Sequence, residues 1–274
     1  MYYYIYDNFL IEKKYQGIIS KIESRLTDLG INGKIIRMST FKNLSKTLNE
    51  DIAKGVKTLV VVGNDRTLNQ LINLINNLNL TIGLIPLGPD NNIARLMGIP
   101  EGEAACDVLS SRIIQPLHLG LINKKYFFIT YLELPGDNIY LNCDENYFIN
   151  VCNYYDAISI SNIFWGEDTD KIPLSNNSGY INLIIKHIKK GLFQTKKENF
   201  SYFKIKTIEL TSDRSVPILL IDEKRIVKTP VTVSVAKNKL NLIVGRKRLI
   251  SWITNNNKIS PNKSGRFYYY LIIA

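Results

Sequence analysis

Two short polar segments each follow an apolar run and precede a helix-like pattern. Gly63–Thr67 follows the uncharged run Thr58–Val62, and Pro86–Asn92 follows Thr81–Ile85. Open α/β sheets bind ligands at the carboxyl ends of their parallel strands, where such turns lie. Both turns open a helix, whose free N–H groups and dipole favour an anion. A phosphate site is therefore one interpretation, although an ordinary strand-to-helix turn has the same geometry.

Strands and helices alternate over the first part of the chain, which is typical of parallel βαβ units. The pattern predicts strands near residues 2–6, 34–38, 58–62 and 81–85, and helices at 13–29, 43–54, 65–77, 91–97 and 101–112. After residue 113 the predicted strands are short and close together, which is typical of an antiparallel sandwich or barrel. These strands are 114–121, 125–134, 139–142, 147–152, 156–161, 202–210, 217–221, 230–235 and 240–244.

One helix, roughly Gly179–Lys190, is expected to interrupt these strands, with His187 as a residue of its surface. The predicted fold class is α/β plus β. Residues 1–112 form an α/β domain with a parallel sheet, and residues 113–250 form a β-sandwich domain with the inserted helix. Residues 251–274 form a basic, aromatic tail, which we interpret as a strand, a contact in a homodimer or an interfacial membrane anchor.

The charge of the chain is concentrated at its C-terminal end. Lys and Arg number 35 and Asp and Glu 24, a net charge of +11, and no acidic residue follows Glu223. Such a basic block suits an anionic partner such as a lipid headgroup, a phosphate or a nucleic acid, but a solvated basic face needs no partner. No motif specific for DNA or RNA accompanies it.

The number of cysteines and the lengths of the apolar runs indicate the cellular compartment in which the protein is expected. The 3 cysteines form no CxxC pair, and only 2 histidines are present, so a structural zinc site is not expected. The N-terminus lacks the basic and apolar regions of a secretory signal, and no apolar run approaches the length of a membrane span. We predict a cytoplasmic protein with free thiols, with attachment at the membrane periphery as an alternative.

Four segments, in order along the chain, resemble the diacylglycerol kinase catalytic-domain family. KTLVVVGNDRTLNQLINLI is similar to the family's GGDGT motif, which is followed by a hydrophobic residue and an Asn, here Asn69. IGLIPLGPDNNIARLMGIP is similar to PLGTGNDFARxLGIP. IIQPLHLGLINKKYFFIT and LLIDEKRIVKTPVTVSVAKNKLNLIV resemble the DLGxVNxxYF and DGE…TP…LxVLV segments. SGYINLIIKHIKK resembles the helix expected between them.

This resemblance implies an N-terminal nucleotide domain and a C-terminal β sandwich with the active site between them, an architecture shared with the NAD kinases. It also implies ATP and Mg²⁺ as cofactors and a lipid hydroxyl as the acceptor of phosphate. By the same resemblance, the candidate catalytic residues are Asp65, Asp222 and Glu223. The candidate nucleotide-binding residues are Gly63, Asn64, Arg66, Thr67, Gly88 and Asn91.

Several family positions are altered in this chain. Arg66 and Pro89 stand where the family has glycine and threonine, so a long side chain and a residue without N–H lie in the phosphate loops. The family's acidic residues are replaced at Asn92, His118 and Lys224, and Lys224 cannot act as a carboxylate base. We therefore expect a lipid kinase relative with weak or lost catalysis. The alternative is a silent relative that binds nucleotide, lipid or a partner protein.

Overall fold

The structure is a computed structural model, and it describes residues 2–38, 48, 50–75, 80–136, 138–152, 156–163, 179–190, 196–220 and 225–249. Asp222, Glu223 and Lys224 lie outside the described residues, as does the tail 251–274. In the part of the chain that is described, no helix is both long and apolar enough to cross a membrane.

The first part of the chain alternates between strands and helices, as predicted. The strand over 58–63 is entirely buried and uncharged, as the central strand of a parallel sheet must be. A 3-10 turn at Asn8–Ile11 follows the first strand, and a second one, Gly102–Ala104, precedes the last helix. The elements are β1 (Tyr2–Tyr6), α1 (Lys13–Asp28), β2 (Gly33–Arg37), β3 (Thr58–Gly63), α2 (Asp65–Ile75), β4 (Thr81–Pro86), α3 (Asn92–Leu96) and α4 (Ala105–Ser111).

The four strands form a parallel sheet in the order β2-β1-β3-β4. The strand order reverses between β1 and β3, which is the point where open α/β sheets bind ligands. Val62 pairs with Tyr6 on one side and with Ile85 on the other. This register aligns the carboxyl ends of three strands, so the residues that follow them emerge at one edge.

The rest of the chain is built of antiparallel strands. Six strands form a second sheet in the order β12-β11-β10-β7-β14-β15. Its residues and those of the first sheet share one apolar core, including Ile158 and Leu183 from the second sheet and Leu141 and Val233 from the first. The two sheets therefore form the predicted sandwich. The strands are β5 (Ile114–Ile122), β6 (Tyr126–Phe128), β7 (Tyr131–Pro135), β8 (Ile139–Cys143), β9 (Tyr147–Val151), β10 (Ala157–Ser161), β11 (Ile181–Lys190), β12 (Lys196–Ile205), β13 (Thr207–Ser212), β14 (Pro217–Leu220), β15 (Arg225–Lys228) and β16 (Val231–Ile243).

The longest of these strands, β16, joins the two parts of the molecule. It pairs antiparallel with β5 and β13, and near its end Asn241 and Leu242 pair parallel with Thr81 and Ile82 of β4. A register shift between Val235 and Lys239 interrupts the pairing with β5. The sequence predicted two strands here because lysines break the apolar pattern. The structure shows that one irregular strand makes both sets of contacts, so a single sheet runs through both parts.

The helix predicted over Gly179–Lys190 is wrong, and so is the assignment of His187 to a helix surface. Residues 181–190 are strand β11, which pairs antiparallel with β10 and β12. Ile181, Leu183 and Ile185 lie in the sandwich core, which is the two-residue period of a strand. The extra isoleucines between them allowed a helical period to fit as well, because a short apolar run satisfies both patterns.

Two asparagines of α2 connect this helix to the β-rich part of the chain by hydrogen bonds. Asn73 donates from Nδ2 to the Phe127 carbonyl at 3.1 Å and accepts the Phe127 N–H on Oδ1 at 2.8 Å. Asn69 is 1% exposed, donates to the Asp65 carbonyl and accepts the Ile129 N–H at 3.3 Å. These amides satisfy backbone groups of the 127–129 segment that would otherwise be buried without partners.

We predict that Asn73→Ala lowers the free energy of unfolding by about 1–3 kcal/mol, because it leaves both polar groups of Phe127 without their partner. Urea denaturation followed by circular dichroism measures the change. Gln70→Ala, on the same helix, is the control and is expected to change stability by less than about 0.5 kcal/mol. Equal effects of the two substitutions would show that the amide does not anchor this segment.

Candidate functional site

The two polar loops lie against each other at the carboxyl edge of the parallel sheet. The Leu87 N–H donates to the Gly63 carbonyl at 2.9 Å, and the Asp65 N–H donates to the Asp90 carbonyl at 3.1 Å. The space enclosed between the loops is only about 10 Å³. A cavity of that size holds at most one water molecule. The space between the loops is therefore too small for a phosphate group or a nucleotide.

Asn64 caps helix α2 with its own side chain. Its Oδ1 accepts the Thr67 N–H at 3.2 Å, while Thr67 Oγ1 accepts the Asn64 N–H at 3.0 Å. This reciprocal pair is the arrangement of a capping box, with Thr in the place of the usual Glu or Gln. Both residues were predicted to bind nucleotide, and the structure uses both to close the helix end.

Asp7, which follows β1, belongs to the same cluster although the sequence analysis did not select it. The Thr67 hydroxyl donates to Asp7 Oδ2 at 2.6 Å, and the Phe9 N–H donates to Asp7 Oδ1 at 3.2 Å. Gly63 is needed here, because a Cβ at this position would lie 2.5 Å from Thr67 Oγ1. A signal in the sequence was available: Asp7 is the first polar residue after a buried strand next to β3.

Asp65 connects the first loop to the second. Its carboxylate accepts the N–H of Asn92 at 2.7 Å and the N–H of Ile93 at 3.1 Å, so it caps the start of α3. The residue is 4% exposed. Burial raises the pKa of Asp65 to about 7, and the two backbone N–H groups oppose that rise. Its oxygens are thus committed to the protein backbone.

The second loop is shaped by Gly88 and Asn91. Gly88 has a φ of +80°, and a Cβ there would lie 2.9 Å from the Phe9 ring, so only glycine fits this conformation and this contact. Asn91 donates from Nδ2 to the Gly88 carbonyl at 2.7 Å. Pro89 is exposed, and Asn92 donates its backbone N–H to Asp65 at 2.7 Å.

Arg66 is the cation of the first loop, and its side chain is exposed at the second position of α2. On the second loop, Arg95 is exposed at the end of α3 and donates to Asn92 Oδ1 at 3.3 Å. Beyond Arg95, a groove of about 800 Å³ extends from Asn91 and Asn92 to the segment Gly245–Lys247. The solvent side of the loops and this groove therefore carry the cations Arg66, Arg95, Arg246 and Lys247 beside the acidic residues Asp90, Glu101 and Asp107.

His118 lies in the β-rich part, on β5, and its backbone pairs with that of Lys239 on β16. Burial and the charge of Lys239 both lower the pKa of His118. Its carbonyl accepts Nδ2 of the buried Asn162 at 2.5 Å, and a Cβ on Gly179 would lie 3.6 Å from its ring. His118 is thus built into the β strands, and its described contacts are separate from those of the two loops.

Within the residues described by the structure, no group of three or more His, Cys, Asp or Glu side chains could hold a metal ion. Mg²⁺ needs few protein ligands when phosphate oxygens complete its shell, but it needs free carboxylate oxygens. Those of Asp65 are taken by two N–H groups. The described contacts of Asp65 therefore do not fit a Mg²⁺ ion held by this carboxylate.

Together, the parallel sheet and the attached β sandwich define an α/β-plus-β protein, with the two polar loops at the carboxyl edge of its parallel sheet. Residues 5–122 match the model of the diacylglycerol kinase catalytic domain. This match confirms the resemblance drawn from the motifs.

Two curated relatives are similar over parts of the chain. A diacylglycerol kinase of Bacillus subtilis is 33% identical over 73 residues, which are 25% of this chain and 24% of the relative. A protein of Pseudomonas aeruginosa named probable lipid kinase YegS-like is 33% identical over 103 residues, 37% of this chain and 34% of the relative. The matched segments thus span about a quarter to a third of the relatives.

The fold is shared more widely than the sequence. A crystal structure of a diacylglycerol kinase from Bacillus anthracis superposes with a TM-score of 0.68 at 15% identity, and the match covers 89% of this chain and 97% of that one. At this identity the likeness establishes the fold alone. It covers the β-rich part as well as the first 122 residues.

The raised pKa of Asp65 predicts a dependence of stability on pH. In the unfolded chain the carboxyl titrates near its ordinary value of 3.8, and in the folded protein near 7. Between these values the folded state binds the proton more tightly, so stability falls as the pH rises through this window. Urea denaturation at pH 5 and pH 8 should show this loss, and Asp65→Asn should reduce it. The exposed Asp28→Asn on α1 is the control. An unchanged slope in Asp65→Asn would contradict this assignment.

Proposed function

We propose that the protein is a diacylglycerol kinase-like protein that binds a nucleotide or a phosphorylated ligand at the carboxyl edge of its parallel sheet. In this proposal, its transfer of phosphate to a lipid hydroxyl is weak or lost. One observation carries the proposal: the chain's own side chains already occupy the helix N-termini that open its two loops.

The start of α2 has few donors left for a phosphate. The N–H of Asp65 donates to Asp90, that of Thr67 to Asn64 Oδ1 and that of Leu68 to the Asn64 carbonyl. The start of α3 donates from Asn92 and Ile93 to Asp65. A phosphate bound at a helix N-terminus is held mainly by these groups. Because these N–H groups already have partners within the chain, they support a ligand that is held on the solvent side of the loops by charged side chains.

Arg66 supplies that charge. A guanidinium presents several donors in a planar fork that matches two phosphate oxygens, so it can replace backbone N–H groups in binding while it fills the space above the loop. Arg66 is exposed, and the loop on which it stands is fixed by the buried Asp65 and Thr67 on either side. This placement supports binding of an anion at the surface of the loop.

Phosphate transfer also needs a base for the acceptor hydroxyl, and Asp65, the carboxylate that this chain keeps from the family's GGDGT motif, is not free for that role. The Asp65 carboxylate is buried and bonded to backbone. By the resemblance, the family's base position is Lys224, with Asp222 and Glu223 before it. General base catalysis contributes about 10²–10⁴-fold, so a lysine at this position would suppress most of the rate.

An active lipid kinase is the second candidate, and the family supports it. The matched relatives are named diacylglycerol kinase and probable lipid kinase, and the family implies ATP and Mg²⁺ as its cofactors. In that case Asp222 or Glu223 would act as the base. The lipid and any anionic membrane surface would then be partners, and the exposed Lys237, Lys239, Arg246 and Lys247 would favour such a surface.

Arg66→Ala is expected to weaken nucleotide binding about 10-fold, the loss that accompanies removal of one charge-assisted hydrogen-bonded contact. Isothermal titration calorimetry with ATP and with ADP, each with and without Mg²⁺, measures the affinity. Lys21→Ala removes an exposed cation from α1 and is the control. Equal affinities for the two variants would exclude Arg66 from the site.

Lipid phosphorylation is expected to be absent or very weak when the protein is incubated with ATP, Mg²⁺ and a panel of lipids that includes diacylglycerol and sphingoid bases. A family member with intact motifs shows that the assay works. We expect Arg66→Gly combined with Lys224→Glu to raise the rate, because it restores space above the loop and a carboxylate at the base position. Robust phosphorylation by the unmodified protein would overturn the proposal and support the active kinase.

A further inference from the structure

Three side chains of the β-rich part form a hydrogen-bonded chain that the phosphate site does not use. His187 Nδ1 lies 2.8 Å from Asp156 Oδ2, and His187 Nε2 lies 3.1 Å from Ser201 Oγ. The residues come from three neighbouring positions in the sheet: Asp156 precedes β10, His187 lies on β11 and Ser201 lies on β12. We propose that Ser201, His187 and Asp156 form a nucleophilic site that hydrolyses small carboxylic esters.

The arrangement fixes the role of each nitrogen of the imidazole. An Asp carboxylate accepts hydrogen bonds, so His187 Nδ1 carries the proton that it donates to Asp156. Nε2 is then the unprotonated nitrogen, and it accepts the hydroxyl proton of Ser201. This is the order of groups that activates a serine: a nucleophile bonded to a base, and the base oriented by a carboxylate.

The three side chains differ in solvent exposure in the way that this chemistry requires. The Asp156 side chain is 6% exposed, whereas the His187 side chain is 37% exposed and Ser201 is half-buried. The Gly136 N–H donates to the Asp156 carbonyl at 2.8 Å, and this hydrogen bond holds the backbone of Asp156 in place. The orienting group is thus inside the protein, and the nucleophile and the base reach solvent.

Apolar side chains lie beside Ser201 on the same face of the sheet. Ile185 pairs with Ser201, and Phe203 lies two residues further along the same face of β12; both belong to the apolar core or pack against it. Asn199 pairs with His187, lies on the same face as Ser201 and is exposed. Its amide is therefore a side-chain donor on that face for the oxyanion that forms during acyl transfer.

In the proposed reaction, Ser201 Oγ forms a bond to the ester carbonyl carbon as its proton passes to His187 Nε2. The tetrahedral intermediate releases the alcohol, which takes that proton, and leaves an acyl-serine. Water then attacks the acyl carbon with His187 as base, releases the carboxylic acid and restores Ser201. The sum is an ester and water giving an acid and an alcohol, with no other reactant.

Two measurements on the full chain test this proposal. The first follows hydrolysis of p-nitrophenyl acetate and p-nitrophenyl butyrate. Ser201→Ala is expected to reduce the rate to that of buffer, and His187→Gln to reduce kcat by at least about 10²-fold. Asp156→Asn should move the pH dependence of the rate, which a purely structural carboxylate would not do. Ser159→Ala, a hydroxyl on β10 of the same sheet, is the control and should leave the rate unchanged.

The second measurement does not depend on any variant folding. The unmodified protein is treated with a fluorophosphonate, whose phosphorus is attacked by an activated serine with loss of fluoride, and the labelled residue is mapped by mass spectrometry. Labelling at Ser201 supports the proposal. Absence of labelling, labelling elsewhere only, or hydrolysis equal in Ser201→Ala and the unmodified protein would each overturn it.

Discussion

The buried carboxylate of Asp65 is the contact on which the arrangement of both loops depends. It stands in the first turn of α2 and caps the start of α3, so two helices that follow two different strands share one side chain. Removing a carboxylate from water is costly, and the two backbone N–H groups that point at it offset part of that cost. The loops are therefore held rigidly to each other, and the enclosed space of about 10 Å³ is a consequence of that contact.

This contact also limits what the site can bind. A helix N-terminus stabilises one anion, and a carboxylate or amide oxygen of the protein competes directly with a phosphate for the same N–H groups. In this chain Asn64 and Asp65 take that place on α2 and α3. Affinity for an external anion must then come from mobile cations such as Arg66, whose ordering on binding costs side-chain entropy. The chain's own side chains thus stabilise the two helix starts and occupy N–H groups that a phosphate would otherwise accept.

Local patterns in the sequence predicted the parallel sheet well, because uncharged runs such as Val60–Val62 and the turns after them have few other solutions. They failed at residues 181–190, where consecutive isoleucines fit a helix or a strand and only the pairing with β10 and β12 decides. They also predicted two strands in place of β16, because its lysines interrupt the apolar pattern. The two ends of this strand pair with different neighbours. The site residues of the two loop motifs lie at the carboxyl edge of the sheet, but their contacts, such as that of Asp65 with Asn92 and Ile93, depend on tertiary packing that no spacing shows.

The hydrogen-bonded chain of Asp156, His187 and Ser201 is a second set of contacts that the sequence did not predict. Its members are separated by 31 and 14 residues, and no motif links them. They meet because antiparallel register sets His187 and Ser201 on one face of adjacent strands, while the core positions before them fix that face. A one-residue slip of β12 would turn Ser201 to the other face and break the chain of hydrogen bonds. The apolar pattern Leu183, Ile185, Phe203 and Ile205 therefore specifies the polar cluster as strictly as it specifies the core.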